Sequence, residues 1–274
     1  MFAFILAAFL LGVTVFVNLF VFYFILGGIA GTCACLVALA IKFGVAITRH
    51  KFSVSGYHYR VVDFMYPLHT KDNRRVISDD NNRYVLSALY TNRKDVWAYF
   101  DSIRTLLITN PAKRFHRALI IGGGGCTVPY TLARDYPKVR IDVVEISRKK
   151  IEIAQKYFLK GEFSDRIRTM VQDGTIFVKT ITQPYDFVFV DVYNGNVIPN
   201  SVKSEKFIKS LKKAITSQGL IFINLSCDEN VDLSQFITLY RFYFPNFRLY
   251  NNGKTTIGII YNKNRYNYPG LRIM

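Results

Sequence analysis

The sequence predicts an α/β protein built on a doubly wound sheet with an antiparallel last strand, and three observations predict it. Apolar strand patterns alternate with helical ones from about residue 117 to residue 250. The first of these strands runs into four consecutive glycines, Gly122 to Gly125. Three acids, Glu145, Asp173 and Asp191, each stand where a strand pattern stops, which in such a sheet is a single rim. A small antiparallel β region and a transmembrane helical hairpin are expected ahead of this sheet.

Residues 2–26 are apolar apart from Thr14 and Asn18, and residues 29–47 are nearly as apolar. Each run is long enough to cross the ~30 Å of a bilayer core as a helix. Gly27 and Gly28 separate them, so residues 1–48 read as a hairpin of two spans. Arg49, His50 and Lys51 follow at once, which places this end in the cytoplasm and the sheet on the cytoplasmic face of the cell membrane. A cleaved signal peptide does not fit, because the run is too long and no basic segment precedes it. The formal net charge is +17, with Lys42 the one formal charge before residue 49. Such a surface favours an anionic partner, here the lipid bilayer. No aromatic–basic interleaving on a recognisable module points to nucleic acid.

Residues 49–92 read as the small β region. Tyr57 to Phe64 alternates, Lys71 to Arg74 is a turn signal, and Arg83 to Tyr90 is a second strand set off by Asp79 to Asn82. Residues 93–274 form the main domain, opening with a helix over Lys94–Thr109 that carries Asp95, Tyr99 and Asp101 and stops at Asn110-Pro111. Strands follow near residues 118–121, at the run closing on Glu145, at 167–171, 186–190 and 220–225, with helices between them at 127–136, 147–159, 175–182 and 201–216. A helix over 231–244 and a hairpin of 247–250 with 255–261 end the domain.

The glycine run carries the first chemical signal. A strand must turn sharply into a helix while its backbone comes close to a ligand, and glycine alone gives positive φ and no Cβ. Glu145 lies roughly 20 residues past the turn, where a nucleoside-binding βαβ unit puts a carboxylate for ribose hydroxyls. This spacing leaves a nicotinamide dinucleotide and an S-adenosylmethionine-type molecule equally open. The three rim carboxylates suit ribose hydroxyls, an exocyclic amine, a sulfonium charge and a proton released by a nucleophile. The four cysteines have no zinc-ligand spacing, so no metal is expected.

Several motifs in order resemble the spermidine synthase family, the polyamine aminopropyltransferases, and its membrane-associated subgroup. Asp95 to Asp101 resembles the family's D-E-x-x-Y-H-E helix, and Ile120 to Gly124 the start of its I-G-G-G-D-G-G turn. Val143 to Ile146 resembles V-V-E-I-D, Asp173-Gly174 the D-G pair, and Tyr185 to Asp191 the Y-D-x-I-x-x-D strand. The resemblance implies a Rossmann-like class I methyltransferase fold and a transferase using decarboxylated S-adenosylmethionine or S-adenosylmethionine, with aminopropyl transfer to a polyamine acceptor as the first activity. It implies that Gly122, Gly123, Gly124, Glu145, Asp173 and Gly174 bind this cofactor and that Asp191 is catalytic. It further implies that Tyr99, Asp101, Tyr193 and Asn194 bind the amine or other small-molecule acceptor, and it suggests a homodimer. The chain departs from the family where Gly125 replaces the turn's aspartate and where Val192 to Pro199 replaces the D-S-S-D-P loop. These departures keep two alternatives open: a methyltransferase at the membrane, and a non-catalytic nucleoside-binding membrane module.

Overall fold

A computed structural model of the protein describes residues 25–40, 44–81, 85–91, 115–195, 197–226, 232–251 and 256–261. Two sheets organise them. The first is an antiparallel meander of β1 (Val45–Val54), β2 (Tyr57–Met65), β3 (Arg74–Asp79) and β4 (Val85–Tyr90), in that spatial order. Ser55 and Gly56 join β1 to β2 with φ of 51° and 80°, the left-handed pair that a two-residue hairpin turn needs to match strand twist.

This meander begins earlier than the sequence reading places it. Val45, Ala46 and Ile47, expected to close the second apolar helix, instead pair with Met65, Phe64 and Asp63. Val45 and Ile47 are β-branched and suit a pleated surface better than a helix end. The expected turn at Gly27 and Gly28 is also corrected, because residues 25–40 are helical straight through both glycines. Glycine lowers helix stability but does not end a helix without a proline or polar turn residue beside it. Among the described residues, no helix is long and apolar enough to cross a membrane. Most of the first expected span, and the whole helix expected over 94–109, lie outside the described residues.

The second sheet has the order β10-β11-β9-β8-β5-β6-β7. Its parallel part comprises β5 (Arg117–Ile121), β6 (Arg140–Glu145), β7 (Ile167–Val171), β8 (Tyr185–Val190) and β9 (Ile215–Asn224). Strand β10 (Phe247–Asn251) pairs with β11 (Thr256–Tyr261), which runs antiparallel to β9, as the sequence predicts. The helices are α1 (Thr127–Asp135), α2 (Arg148–Ala154, continued by a π-turn over Gln155–Leu159), α3 (Gly174–Phe177), α4 (Glu205–Ala214) and α5 (Ser234–Tyr243). Helix α3 is shorter than expected, since Thr180, Ile181 and Thr182 are β-branched and Pro184 follows.

Both faces of this sheet are covered, which is why its strands read as unbroken apolar runs. Leu119, Ile121, Val188, Val190, Ile221 and Ile223 pack on one side with Phe207, Ile208 and Leu211 of α4 and Phe236 and Tyr240 of α5. Ala118, Ile120, Phe187, Phe189 and Phe222 pack on the other with Val128 and Leu132 of α1, and Phe52, Tyr59, Val61 and Ile77 of the meander join that same cluster. Each large side chain buried there contributes about 1.5–3 kcal/mol, so the meander is held by a shared core. A polar latch adds to it. Asp63 accepts from Arg75 Nε at 2.6 Å and from Arg49 Nε at 2.8 Å, and Arg75 Nη1 donates to the Tyr157 carbonyl in the π-turn at 2.7 Å. Burial favours the protonated form of Asp63, but the two guanidinium groups outweigh it and hold the carboxyl below the usual range.

Candidate active site

The carboxyl ends of the central strands open on a cavity of about 600 Å³, roofed in part by the meander. Gly122, Gly123, Gly124, Glu145, Asp173, Gly174, Asp191, Tyr193 and Asn194 all line it, so nine residues singled out from the sequence converge on one space. Tyr99 and Asp101 lie outside the described residues. Among the described residues, no cluster of His, Cys, Asp and Glu is arranged to hold a metal ion.

The turn after β5 is shaped by close approach. Gly122 has φ of 92°, and a Cβ there would fall 2.0 Å from the Asp191 carbonyl oxygen. Asp191 N donates to Ile121 O at 2.8 Å, which holds the end of β8 against the turn. Gly174 is constrained in the same way, since a Cβ would fall 2.2 Å from Ile121 Cγ2. Glycine at both positions lets three strand ends crowd together.

The amides of this turn are fully committed within the protein. Gly122 N donates to Val144 O at 2.8 Å and Cys126 N to Gly123 O at 2.7 Å. Gly123 N and Gly124 N donate to Glu145 Oε2 at 3.0 and 3.3 Å, and Ser147 N donates to Oε1 at 3.0 Å. Gly125 N donates to Ser87 Oγ of β4 at 2.7 Å. Five consecutive N–H groups, 122 to 126, therefore find partners inside the fold. Glu145 is 4 % exposed and held by backbone N–H dipoles rather than by a cation. A carboxylate has about four acceptor positions, so three backbone bonds still leave room for a ligand hydroxyl. Burial first, then the Glu145 charge, push the Cys126 thiol up to about 12, so this cysteine is unreactive at neutral pH.

Asp173 caps α3, its Oδ1 accepting from Thr175 N and Thr175 Oγ1, both at 2.7 Å. Asp191 Oδ1 accepts from Asn224 Nδ2 at 2.9 Å. Asn224 is oriented in turn, because its Oδ1 accepts from Ser226 N at 3.0 Å and its amide NH2 must then face Asp191. The Tyr193 hydroxyl donates to the Asn224 carbonyl at 2.9 Å, so that residue presents its ring to the cavity and commits its hydroxyl to the scaffold. Asn194 pairs through its backbone with Val197. Gly195, at φ of 62°, sits under Tyr57 of the meander, whose ring a Cβ there would meet at 2.7 Å. Nearby Tyr59 also lines the cavity; burial, followed by Tyr57, Asp79 and Glu145, raises its proton affinity and keeps the phenol neutral.

Two site residues escape sequence reading. Asn224 ends a strand on the same rim as the acids, a signal that attention to carboxylates alone passes over. Ser87 sits amid the apolar run of β4, 38 positions before its partner, and nothing local marks it.

The model of the spermine/spermidine synthase domain matches residues 105–253, more than half of the chain. A polyamine aminopropyltransferase of Vibrio vulnificus is 33% identical over 141 residues, covering 49% of this chain and 46% of that protein. The human eEF1A lysine and N-terminal methyltransferase is 27% identical over 121 residues, covering 40% of this chain and 17% of that one. The chain thus spans less than half the length of either relative. A crystal structure of a probable spermidine synthase from Corynebacterium glutamicum superposes with a TM-score of 0.66 at 18% identity, covering 80% of this chain and 81% of that one, which establishes the shared fold.

Proposed function

This chain belongs to the spermine/spermidine synthase family, and from that premise we propose that it transfers an aminopropyl group from decarboxylated S-adenosylmethionine to an amine. The observation that carries this reading is the charge of the cavity. Among the described lining residues, Glu145, Asp173 and Asp191 stand against Lys150 as the one cation. The glycine turn offers no spare amide from residue 122 to 126. A dinucleotide diphosphate would meet three carboxylates and a glycine run whose own amides are already spent. A sulfonium, an ammonium or both are attracted there; two opposite charges ~4 Å apart gain about 4 kcal/mol at an effective dielectric constant near 20.

The donor supplies a carbon activated by an adjacent sulfonium. The chain's own residues then divide the work. Gly122, Gly123 and Gly124 let the methionine-derived part lie against backbone, Glu145 takes a ribose hydroxyl, and Asp173 with Gly174 borders the base. Asp191 draws in the acceptor ammonium and holds it against the reacting carbon. The ammonium first yields one proton to Asp191; the lone pair so exposed forms the new C–N bond as the C–S bond breaks, the sulfur leaves as a neutral thioether, and the product nitrogen carries the positive charge. Tyr193 and Asn194 wall the acceptor side, to which Tyr99 and Asp101 are assigned by motif.

Methyl transfer from intact S-adenosylmethionine is the second reading, favoured by the human methyltransferase relative and by Gly125, which leaves the turn without a carboxylate to repel the donor's own. Calorimetric titration of the full chain with each donor, followed by turnover assays with diamines, separates the two. Preference for the decarboxylated donor with amine-dependent product formation is expected; preference for the intact donor moves the assignment to methyl transfer, and binding of neither removes both.

The proposed location is the cytoplasmic face of a membrane. The support is the apolar composition of residues 1–47, the basic Arg49 and Lys51 that follow, and the exposure of Ile29, Leu36 and Val37 on the helical segment 25–40. Retention in the membrane fraction after alkaline carbonate washing is the expected behaviour, and release into the supernatant would count against it.

A further inference from the structure

Two walls of the cavity come from different sheets, and one contact joins them. Val54 and Ser55, at the tip of the β1–β2 hairpin, line the cavity, and so does Gly195 in the segment that follows β8. Tyr57 opens β2 directly after the tight turn at Ser55 and Gly56, paired with Val54 across the hairpin. Its ring rests on Gly195: a Cβ at position 195 would lie 2.7 Å from Tyr57 Cε1, Cζ and Oη alike. Glycine is needed there twice over, for this approach and for a φ of 62°.

The other side of the segment is held differently. The Tyr193 hydroxyl donates to the Asn224 carbonyl at 2.9 Å, and Asn194 exchanges backbone hydrogen bonds with Val197 at 3.0 and 3.2 Å in a tight turn. Tyr193 and Asn194 thus stand between an anchor on the main sheet and a brace on the meander, immediately past Asp191. Tyr57 is 44 % exposed, so its ring serves this brace more than the core. The Tyr59 ring, 6.5 Å away between centres, backs it on the hairpin. We propose that Tyr57 is a positioning residue for the amine acceptor: by bearing on Gly195 it fixes Tyr193 and Asn194 relative to Asp191. This rests on the aminopropyltransferase reading above and adds to it the residue that ties the acceptor wall to the first sheet.

The test is steady-state turnover of the full chain with decarboxylated S-adenosylmethionine and the α,ω-diamine it uses fastest, alongside donor affinity by calorimetry. The variants are Tyr57→Phe, Tyr57→Leu, Tyr57→Ala, Gly195→Ala and the double variant of the two alanines. Phenylalanine keeps the ring and should keep the wild-type KM for the amine. Tyr57→Ala should raise that KM about tenfold with donor affinity unchanged, since a ~1 Å misplacement at an active site can cost about a hundredfold. Leucine keeps an apolar side chain but lacks the reach; it should act in the same direction and guards against collapse of the alanine variant. Gly195→Ala should raise the KM further, by contact and by its strained φ, and adding Tyr57→Ala should recover part of that loss by removing the contact. An unchanged KM in both Tyr57→Ala and Tyr57→Leu, a parallel loss of donor affinity, or simple multiplication of the two effects in the double variant overturns the role of Tyr57 and leaves the transferase assignment standing. Wild-type protein that turns over no diamine with this donor overturns that assignment and this proposal with it.

Discussion

Acids stand at both ends of the parallel strands, and the two rims treat them differently. At the amino end, Asp142 accepts from Arg168 Nε at 2.8 Å and from the Tyr185 hydroxyl at 2.6 Å, while Asp186 accepts from the amides of His116 and Arg117 at 2.9 and 3.1 Å. The Tyr185 ring also carries the Arg117 guanidinium 4.5 Å from its centre. On that rim Asp142 is answered by a cation and Asp186 by amides, and both acids are spent on tying strands together away from the cavity. At the carboxyl end, Glu145, Asp173 and Asp191 are answered by amides and a hydroxyl, which orient them without cancelling their charge. An acid at a strand end is therefore no functional signal in itself. What distinguishes a site is compensation by dipoles beside a cavity, which leaves net charge for a ligand.

The sharpest way to break that contrast is Asp191→Asn. The amide keeps the volume but takes no proton, and turnover should fall by roughly 10²–10⁴-fold, the usual worth of a positioned base. Donor affinity should change little, because the proposed role of Asp191 is toward the acceptor. Full turnover in this variant, measured at saturating donor and amine, would show that the rim carboxylate is structural after all.

Cation-compensated acids should instead report in stability. Asp63, held by Arg75 and Arg49, is the strongest case, and Asp63→Asn should cost about 2 kcal/mol at neutral pH because the mostly buried Arg75 and the more exposed Arg49 lose the charge of a buried carboxylate. Its folded-state pKa is depressed, so the stabilisation is present above the unfolded value near 3.9 and is lost as pH falls through the lower folded value. Denaturant melts of wild type and variant should accordingly differ at pH 7 and converge below about pH 4. Asp142→Asn should cost less, about 1 kcal/mol, since Arg168 is largely exposed and the Tyr185 bond survives in weaker form. Neither substitution should alter donor affinity.

How far this contrast could be read from the chain depends on range. The strands, the glycine turn and the three rim acids were legible because each rests on local pattern: an apolar run, φ-permissive residues, an acid where the run stops. The doubly wound order followed from alternation of elements. What stayed hidden is long-range: that Gly125 turns its amide to Ser87, that Gly195 lies under Tyr57, and that Arg75 reaches the Tyr157 carbonyl. The misplaced helix end at Val45–Ile47 has the same origin. Hydropathy in that stretch suits a membrane helix, and only pairing with Phe64 and its neighbours makes it a strand.

The smallest expected effect probes how the carboxyl rim aims its charge. Asn224 holds Asp191 Oδ1 while Ser226 N fixes the amide's orientation. Asn224→Ala should leave the carboxylate in place, since Gly122 and the Asp191 N–H bond to Ile121 O hold the backbone, but should remove one of the contacts that aim it. Losing one hydrogen bond to a charged group costs ~1–2 kcal/mol of alignment, so kcat should drop about tenfold with donor affinity unmoved. Asn224→Asp should fall further, because a second carboxylate replaces an N–H donor with repulsion at the same atom. If alanine and aspartate behave alike, Asn224 merely fills space, and the rim owes its function to the acids alone.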